Sequence, residues 1–506
     1  MAQPEKTQTK LTQKEVNDIL WRAADTFRGV IDGGLYKDYI LIMLFVKYMS
    51  DVWLDQHDNL MQEYNGNAER VKRAMERLKF KIPNECSFAS MYANRKAENV
   101  GERIDIAIAK IEEANRPKLD GVFQNINFNS EQLGATKARN ELLKKLLEDF
   151  SKLDLRPSRI EEDVVGEAYM YMIERFGSDA GKKAGEFYTP APVRSLVAQL
   201  VKPEPGNLIC DPTCGSGSLA LDAARLIPGG DYRIYGQEKN GSTLALAKMN
   251  MFLHGEDNAI LEWGDTLNDP RLLENGKLKR FDRVVANPPF SVDKWGAENA
   301  ASDSFYRFTR GVPPKSKGDW AFLLHMLATT MRQTGRCCVV VPHGVLFRGA
   351  AEGRIREAVL KDNLLDAVIG LPEKLFSTAA IPVAVLLFDF RRESGGELED
   401  RKDILFIDAS KEFDAGRNQN KLTDTHLDKI IRTVETRQDV DKFAHLAKLD
   451  EVVENGFNLN IPRYVDTFEE EKQIDLAAVQ AEIERLDEEL TQTRARLRQH
   501  LKELGV

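Results

Sequence analysis

Residues 208–218, with the sequence LICDPTCGSGS, indicate the fold of this chain. Three apolar residues predict a buried strand, a turn with two glycines follows, and the apolar run that begins at Leu219 predicts a helix. Strand, glycine turn and helix form the first unit of a nucleotide-binding type of sheet, because glycine lets the backbone approach a ligand closely. The turn lacks the full GxGxxG pattern of dinucleotide folds, so on its own it is weak support for a ligand site.

Acidic residues follow the next two predicted strands. Glu238 follows the strand at 232–235, Asp265 follows the strand at 259–263, and Glu238 comes 27 residues after Asp211. In open α/β sheets an acidic residue at the second strand end hydrogen-bonds ribose hydroxyls. Groups at successive strand ends converge on one rim of a parallel sheet, so we expect these carboxylates to share one site.

The fourth predicted strand, residues 284–286, ends in the sequence Asn287-Pro288-Pro289-Phe290. The prolines fix φ and remove two backbone donors, so the turn is stiff. The Asn287 amide oxygen and the Pro288 carbonyl offer two acceptors, and the Phe290 ring follows them. Two oxygens and a ring match a flat group that carries an amino function. A plain proline turn at a strand end is the alternative that this motif alone leaves open.

Taken together, these motifs resemble those of S-adenosylmethionine-dependent DNA amino-methyltransferases, in particular the class that methylates adenine N6. The resemblance rests on residues 211–217, Glu238, residues 264–265, residues 287–290 and the upstream sequence GEFYTP at 185–190. Within that class the chain most closely resembles the modification subunit of type I restriction-modification systems, from Leu11 to the C-terminal helix. It departs from close relatives at Ser216 and Ser218, where other small residues are common, and at residues 186–188, where Glu-Phe-Tyr replaces the more usual Gln-Tyr-Phe.

The resemblance implies S-adenosylmethionine as the cofactor and double-stranded DNA as the substrate, with the target adenine flipped out of the helix. Four residues then form a clamp on the base: Asn287, Pro288, Pro289 and Phe290. The cofactor ribose is expected at Glu238 and its adenine amino group at Asp265. The expected cofactor-binding residues are Glu186, Phe187, Tyr188, Thr189, Pro190, Ala191, Asp211, Thr213, Gly215, Ser216, Gly217, Ser218, Glu238 and Asp265. No metal site is expected, because the five cysteines form no CxxC pair.

We predict an α/β fold: a Rossmann-like, mostly parallel methyltransferase sheet, preceded by an α-helical N-terminal domain and followed by a long C-terminal helix. Further strands are predicted at 336–341 and 367–370, and one at 383–388 is expected to be the last. Asp319 is expected to be the N-cap of a helix between two strands. The predicted domains are residues 1–155 (helical), 156–465 (catalytic) and 466–506 (partner-binding helix).

Both terminal regions show helical periodicity. In the N-terminal region, residues 39–53 predict a core helix, and one face of the helix at 15–27 carries Val16, Ile19, Leu20, Ala23 and Phe27. At the C-terminus, apolar residues recur at heptad spacing, at Leu476, Val479, Ile483, Leu486, Leu490, Leu497 and Leu504. A coiled coil with a partner helix is the favoured interpretation, and a helix folded back on its own domain is the alternative.

Composition limits how the chain could hold DNA. The net charge is −9, whereas proteins that grip duplex DNA unaided usually carry a basic footprint. About 75 residues separate Phe390 from the terminal helix, too few for a target-reading domain of roughly 100 residues. We therefore expect a separate specificity subunit. The resemblance to type I modification subunits further implies two copies of this chain per specificity subunit, and a restriction subunit in the full complex. No apolar stretch of membrane-spanning length occurs, and a cytoplasmic location with reduced thiols is expected.

Some alternatives stay open at this point. An NPPF segment also resembles enzymes that methylate a glutamine amide of proteins at N5, and an inactive scaffold subunit is a second possibility. Phe376 is a possible second stacking ring or an ordinary core aromatic. The long loop at 291–318 is a possible phosphate contact through Lys294, Arg307, Arg310, Lys315 and Lys317, or a solvated loop with no role.

Overall fold

The structure is a computed structural model that describes residues 10–28, 30, 33–161, 163–179, 188–376, 381–417, 419–467 and 476–503. It forms two compact units, Met1–Val465 and Asp466–Val506. The first unit contains an N-terminal group of helices and a large central sheet, and the second contains one long helix.

The N-terminal region is helical, as predicted. Its helices are α1 (Gln13–Phe27), α2 (Gly33–Glu63), α3 (Ala68–Met75), α4 (Phe88–Ala93), α5 (Val100–Ala114) and α6 (Thr136–Phe150). A capping box starts α1, because Thr12 Oγ1 accepts from the Glu15 N–H while the Glu15 carboxylate accepts from the Thr12 N–H at 2.9 Å. The predicted face of this helix is confirmed: Val16, Leu20, Ala23 and Phe27 are buried and Ile19 packs against the same core.

Helices and strands alternate through the rest of the first unit. The helices are α7 (Val164–Asp179), α8 (Ala191–Leu200), α9 (Ser218–Arg225), α10 (Gly241–Leu253), α11 (Asp319–Thr329), α12 (Gly344–Phe347), α13 (Ala350–Lys361), α14 (Asp424–Thr436) and α15 (Leu449–Glu454). The strands are β1 (Asn207–Asp211), β2 (Tyr232–Glu238), β3 (Ile260–Trp263), β4 (Leu273–Glu274), β5 (Lys277–Leu278), β6 (Arg283–Ala286), β7 (Arg336–Pro342), β8 (Leu365–Gly370), β9 (Val383–Asp389), β10 (Asp403–Asp408) and β11 (Ala444–Lys448). The second unit contains α16 (Leu476–Glu503).

Nine strands form one sheet in the order β11-β10-β8-β9-β7-β6-β1-β2-β3, and β4 pairs with β5 separately. The sheet is mostly parallel, as predicted; only β9 and β11 run antiparallel to their neighbours. The strand order reverses beside β1, because β2 and β3 extend to one side and β6 to the other. Ligands bind outside the carboxyl ends of the strands at such a reversal.

Two expectations about this sheet are wrong. The strand at 383–388 is not the last, because β10 and β11 follow it and extend the sheet beyond β8. Asp319 is not an N-cap: Gly318 holds that position and Asp319 is the first helical residue. The Asp319 carboxylate instead accepts from the Ser291 N–H at 2.7 Å and pairs with Arg348.

The N-terminal helices share a hydrophobic core with the sheet domain. That core continues through α7 and into α10, where Leu246, Met249, Phe252 and Leu253 belong to the same cluster. The Phe252 ring meets the rings of Phe45 and Phe80 edge-on, with centroids 5.2 Å and 5.4 Å away. Because α10 begins directly after the β2 strand end, this core fixes one wall of the rim where the site lies.

A polar cluster joins the same elements near their other ends. Asp163, Glu167 and His254 offer ligand atoms within 4.8 Å of one another. The Arg225 guanidinium lies among them, donating to Glu167 at 3.2 Å and pairing with Asp163. This arginine supplies the positive charge that balances the carboxylates, so the cluster serves as an ion-paired tie between α7, α9 and α10.

The terminal helix α16 exposes its apolar seam. Val479, Ile483, Leu486, Leu490 and Leu497 are each at least 45% exposed, and ion pairs such as Arg485–Glu489 at 2.6 Å run along its surface. Among the described helices, none has the length and hydropathy needed to cross a membrane.

We predict that Phe252→Ala lowers the free energy of unfolding by about 3–5 kcal/mol, because it opens a cavity between the N-terminal helices and α10. The matched control is Leu226→Ala, since Leu226 is 47% exposed and belongs to none of these clusters. Urea unfolding followed by circular dichroism measures both variants. A loss of less than about 1 kcal/mol for Phe252→Ala would show that this core does not hold the two regions together.

Candidate active site

The glycine turn after β1 forms the floor of the site. Gly215 and Gly217 have φ of 53° and 78°, in the left-handed region that favours glycine. A Cβ at Gly217 would lie 2.7 Å from Met251 Cε in α10, so that side chain would have to move, whereas the positive φ is what requires glycine here. Asn250 of α10, fully buried, donates from Nδ2 to the Ser216 carbonyl at 2.9 Å and holds the turn from behind.

Asp211 ends β1 and is 2% exposed. Its Oδ1 accepts from the Thr213 N–H at 2.9 Å, which closes the turn onto the strand end. Burial raises the pKa of Asp211 to about 7, and the nearby Glu238 carboxylate adds to the rise, against the lowering effect of the Thr213 hydrogen bonds. No cationic side chain among the described residues pairs with Asp211. A positively charged group of a ligand could therefore stabilise this buried carboxylate.

Glu238 ends β2 and links three parts of the rim. Its carboxylate accepts from the Gly215 N–H at 3.1 Å and from the Asn240 N–H at 2.8 Å. Burial raises the pKa of Glu238, although those backbone hydrogen bonds act in the opposite direction. Each carboxylate oxygen accepts one of these bonds, and a carboxylate has about four lone-pair sites, so Glu238 can also accept from a hydroxyl group of a ligand.

Asp265 follows β3, and its carboxylate already has several donors. Oδ1 accepts from the Leu267 N–H at 3.0 Å, and Oδ2 accepts from Asn268 Nδ2 at 3.1 Å and Lys239 Nζ at 2.8 Å. Burial alone would raise the pKa of Asp265, but the hydrogen bonds from Lys239 and Asn268 together lower it. Since the Lys239 side chain is 76% exposed, it can turn away and leave Asp265 to a ligand.

A cavity of about 470 Å³ lies on this rim, within the range of sites for small molecules and cofactors. Glu238, Asp265, Gly215 and Asn287 all line it, and the loop at 292–295 forms its outer wall. A second, smaller cavity of about 20 Å³ adjoins it and is lined by Tyr188, Thr189, Asp211, Gly215 and Asn287, among others. Gly215 and Asn287 border both cavities, so the NPPF clamp lies where they meet.

Asn287 has the most informative geometry in the site. Its Nδ2 donates to Thr189 Oγ1 at 3.1 Å, which fixes the orientation of the amide. Its Oδ1 is buried and has no hydrogen-bond partner among the described residues. A buried acceptor without a partner costs about 1–3 kcal/mol, so a ligand group or a water molecule that reached this oxygen would be bound favourably.

The rest of the clamp continues from this amide. Pro288 is buried, Pro289 is exposed, and Phe290 is half-buried. Phe376 is 7% exposed and belongs to the core, and its ring meets the Phe290 ring at 6.3 Å and 74°. Of the two interpretations of Phe376, the structure favours the core aromatic, which packs against Phe290 in an edge-to-face pair.

The upstream segment closes the small cavity. Thr189 is buried, and Arg194 Nη1 donates both to the Thr189 carbonyl and to the Tyr188 hydroxyl, each at 2.9 Å. Burial raises the pKa of Tyr188, so this phenol stays protonated. Pro190 and Ala191 lead into α8. Glu186 and Phe187 lie outside the described residues.

The loop at 291–318 is a folded segment. The suggestion that its Arg307 and Arg310 contact phosphates near the clamp is wrong. Arg307 is 5% exposed; it forms an ion pair with Asp303 at 2.7 Å and donates to the Leu267 carbonyl at 2.8 Å. Arg310 pairs with Asp362 at 2.6 Å, at the amino-terminal edge of the sheet. Only the ends of the loop stay near the clamp, where Lys317 donates to Ser291 Oγ at 3.3 Å and Lys294 lines the large cavity.

The motifs located most of this site, but some supporting residues were missed. Asn250, Lys239, Asn240 and Asp319 contact site residues from helices and turns. Asn240 lies two residues after Glu238, and an Asn before a helical run is a recognisable N-cap signal. The other three carry no local signal, because their roles depend on tertiary packing.

The fold and the rim together define a cofactor-dependent enzyme with a mostly parallel α/β sheet, and comparisons with known proteins specify it further. Residues 160–473 match the family model described as N-6 DNA methylase, and residues 16–150 match that of the HsdM N-terminal domain. The MjaVIII type I restriction enzyme methylase subunit of Methanocaldococcus jannaschii is 30% identical, across 98% of this chain and 86% of that protein. The MpnII methylase subunit of Mycoplasma pneumoniae is 28% identical, across 97% of this chain and 96% of that protein.

A solved structure agrees with these relatives. The methyltransferase subunit of a type I restriction-modification system from Streptococcus thermophilus is 36% identical, with a TM-score of 0.80, over 90% of this chain and all of that one. The chain therefore belongs to the N-6 DNA methylase family, among the methylase subunits of type I restriction enzymes. The resemblance drawn from the sequence motifs is confirmed.

Asp211→Asn tests the electrostatics of the small cavity. Below the ordinary carboxyl pKa of 3.8 the aspartate is protonated in both folded and unfolded chains, and above about 7 it is ionised in both. The stability of the wild type should therefore fall as the pH rises between these values, and Asn should remove that fall. At pH 8 we expect the variant to be more stable by on the order of 2–4 kcal/mol, and at pH 4 no different.

Thermal unfolding of the ligand-free chain at both pH values measures this difference. Asp231→Asn, which neutralises an exposed carboxylate, is the control and should change little at either pH. An Asn variant that is less stable than the wild type at pH 8 would contradict a buried carboxylate without a balancing charge.

Proposed function

We propose that this chain transfers a methyl group from S-adenosylmethionine to adenine N6 in double-stranded DNA, at a sequence read by a separate specificity subunit. The observation that carries the proposal is the buried, unpartnered Oδ1 of Asn287 at the junction of the two cavities. Membership of the N-6 DNA methylase family supports the reaction class.

The residues that line the two cavities offer complementary groups to the two ends of the cofactor. The large one offers Glu238 to a ribose diol and Asp265 to an adenine amino group. The small one offers the Asp211 carboxylate, without a cationic partner among the described residues, to the α-ammonium group of the methionine half. When bound, S-adenosylmethionine supplies an electrophilic methyl group on its sulfonium sulfur. We propose that the residues at 211–218 and 188–191, with 186–187 of the same motif, hold it in this orientation.

The clamp activates the nucleophile by hydrogen bonding. Asn287 Oδ1 and the Pro288 carbonyl accept the two amino hydrogens of adenine, which draws the nitrogen lone pair out of conjugation with the ring. Thr189 keeps the amide from rotating, because it accepts from Nδ2 at 3.1 Å. The chemistry needs no side chain that exchanges a proton with the base before attack, so orientation and preorganised dipoles account for the rate.

The target base must leave the duplex to reach this clamp, at a cost of roughly a few kcal/mol. Phe290, half-buried and supported by Phe376, offers a ring face on which the flipped adenine can stack. Such stacking contributes about 1–3 kcal/mol per base in single-strand complexes, which offsets part of the flipping cost. Lys294 and Lys317 lie close enough to the clamp to meet neighbouring phosphates.

The exposed stripe of α16 supports the proposed subunit partner. In the isolated chain these apolar side chains are exposed to solvent. In the proposed complex a helix of the specificity subunit would cover them. We propose an assembly of two copies of this chain with one specificity subunit, joined by a restriction subunit in the full complex, in the cytoplasm where the DNA lies. The specificity subunit would also supply the DNA grip that a chain of net charge −9 lacks.

Asn287→Ala tests the clamp. It removes the acceptor but not the cavity walls around the cofactor, so we expect cofactor affinity within about twofold of the wild type and turnover reduced at least about 100-fold. Asn287→Asp is the matched control, because it keeps an acceptor oxygen at nearly the same volume and should retain more activity than Ala. Calorimetry measures the cofactor, and transfer of a labelled methyl group to DNA, with the specificity subunit present, measures turnover.

Two results would reject the proposal. A normal turnover for Asn287→Ala would remove this amide from the mechanism. Transfer to a glutamine of a protein substrate, with none to DNA in the presence of the specificity subunit, would assign the chain to the other class of amide-clamping methyltransferases.

The seam of α16 is tested by paired substitutions. Ile483→Asp with Leu490→Asp places two charges on the apolar stripe, and we expect the specificity subunit to dissociate while cofactor binding stays unchanged. Ala481→Asp with Ala495→Asp places the same charges on the opposite face of the helix and should leave the complex intact. Size-exclusion chromatography of the co-expressed subunits distinguishes them, and an intact complex with the first pair would refute the seam.

A further inference from the structure

The side chain of Phe347, near the clamp, is exposed to solvent, and the proposed methyl transfer gives it no role. Phe347 closes the short helix α12 and is 46% exposed. This helix follows β7, which is parallel to β6 and hydrogen-bonded to it. Phe347 and the NPPF clamp therefore lie at the same edge of the sheet, on adjacent strands.

One carboxylate joins the two segments. Asp319, 3% exposed, accepts the Ser291 N–H directly after Phe290 and pairs with Arg348 directly after Phe347. Arg348 is held further by Glu352, with Nη2 donating to Oε1 at 2.9 Å. Phe290 and Phe347 are thus each one residue away from the same buried anchor.

The backbone on either side of Phe347 is also fixed. The Arg348 N–H donates to the Gly344 carbonyl at 2.9 Å. The Arg356 guanidinium of α13 donates to the carbonyls of Val345 at 3.2 Å and Arg348 at 2.9 Å. A loose loop is therefore not the reason why this large apolar side chain is exposed. The backbone hydrogen bonds hold this turn in place, so the Phe347 side chain projects from a fixed position at this edge of the sheet.

The geometry points to Phe347 as a wedge that enters the base stack of duplex DNA where the target adenine has left it. This inference rests on the proposed function, because only a flipped base creates such a gap. A flipped nucleotide stays in its strand, so the vacated position lies at the mouth of the pocket that holds the base. Apolar side chains that insert between base steps stabilise DNA in this way, and an aromatic ring restores part of the lost stacking.

The wedge is tested with the complete methyltransferase, meaning this chain co-expressed with its specificity subunit. The duplex carries 2-aminopurine at the target position, since its fluorescence rises when the base leaves the stack. The target position itself is read from the N6-methyladenine positions in DNA of cells that express the complex. For Phe347→Ala we expect the fluorescence rise, and kcat/KM on the matching adenine duplex, to fall about tenfold.

Two further measurements separate a wedge from a structural role. On a duplex with an abasic site opposite the target, unpairing no longer costs energy, and the variant should methylate within about twofold of the wild type. Phe347→Trp, which keeps an aromatic ring, should flip the base on the matched duplex nearly as well as the wild type. Leu226→Ala is the control, because Leu226 is 47% exposed but follows the far end of α9, at the opposite edge of the sheet.

The outcomes are distinct. An equal loss on both duplexes would show that Phe347 only supports the clamp, and an unchanged fluorescence rise would show that it does not meet the gap. If Ile381→Ala, at another exposed apolar residue on this edge, gives the expected pattern instead, the wedge is Ile381 and this assignment is wrong. If the wild type itself fails to methylate DNA, the proposed function fails rather than the wedge.

Discussion

The site depends on one hydrogen bond, from Asn287 Nδ2 to Thr189 Oγ1. It fixes the amide of Asn287, a residue that lines both cavities, and the Oδ1 atom of this amide is buried and without a partner among the described residues. The folded chain tolerates an unfavourable buried acceptor, which a substrate amino group can satisfy. The hydrogen bond that this oxygen accepts would form when the substrate binds and not when the chain folds. The acceptor is preorganised, because two prolines and a buried threonine prevent the amide from turning away.

The sheet topology brings the rest of the site to that amide. Because the strand order reverses beside β1, the ends of β1, β2 and β6 meet at one rim, where Asp211, Glu238 and Asn287 lie. Helix α10 connects this rim to the N-terminal helices through the aromatic contacts of Phe252. On the other side of the clamp, Asp319 links Ser291, which directly follows the NPPF sequence, to the turn that carries Phe347. Buried contacts to helices therefore hold both sides of the clamp.

Much of this arrangement could be predicted from sequence because its signals are local. Apolar runs followed by Asp211, Glu238 and Asn287 identify strand ends, and the parallel sheet brings strand ends together. Roles set by tertiary contacts could not be found in this way. Arg307 has the sequence context of an exposed loop arginine, yet Asp303 and two carbonyls bury it. Asp319 precedes a helix as an N-cap would, but its carboxylate bonds Ser291 from 28 residues away. β10 was not predicted, although residues 404–407 are an apolar run. No catalytic motif follows this run, so the sequence did not mark it as part of the catalytic sheet.

The most direct test of the account is a crystal structure of the chain with its specificity subunit, a non-reactive analogue of S-adenosylmethionine and a duplex that contains the target adenine. The account predicts an extrahelical adenine whose N6 lies about 3 Å from Asn287 Oδ1 and from the Pro288 carbonyl oxygen. An adenine that remains stacked in the duplex of an otherwise complete complex, or an Asn287 oxygen that bonds a protein group instead of the base, would contradict it.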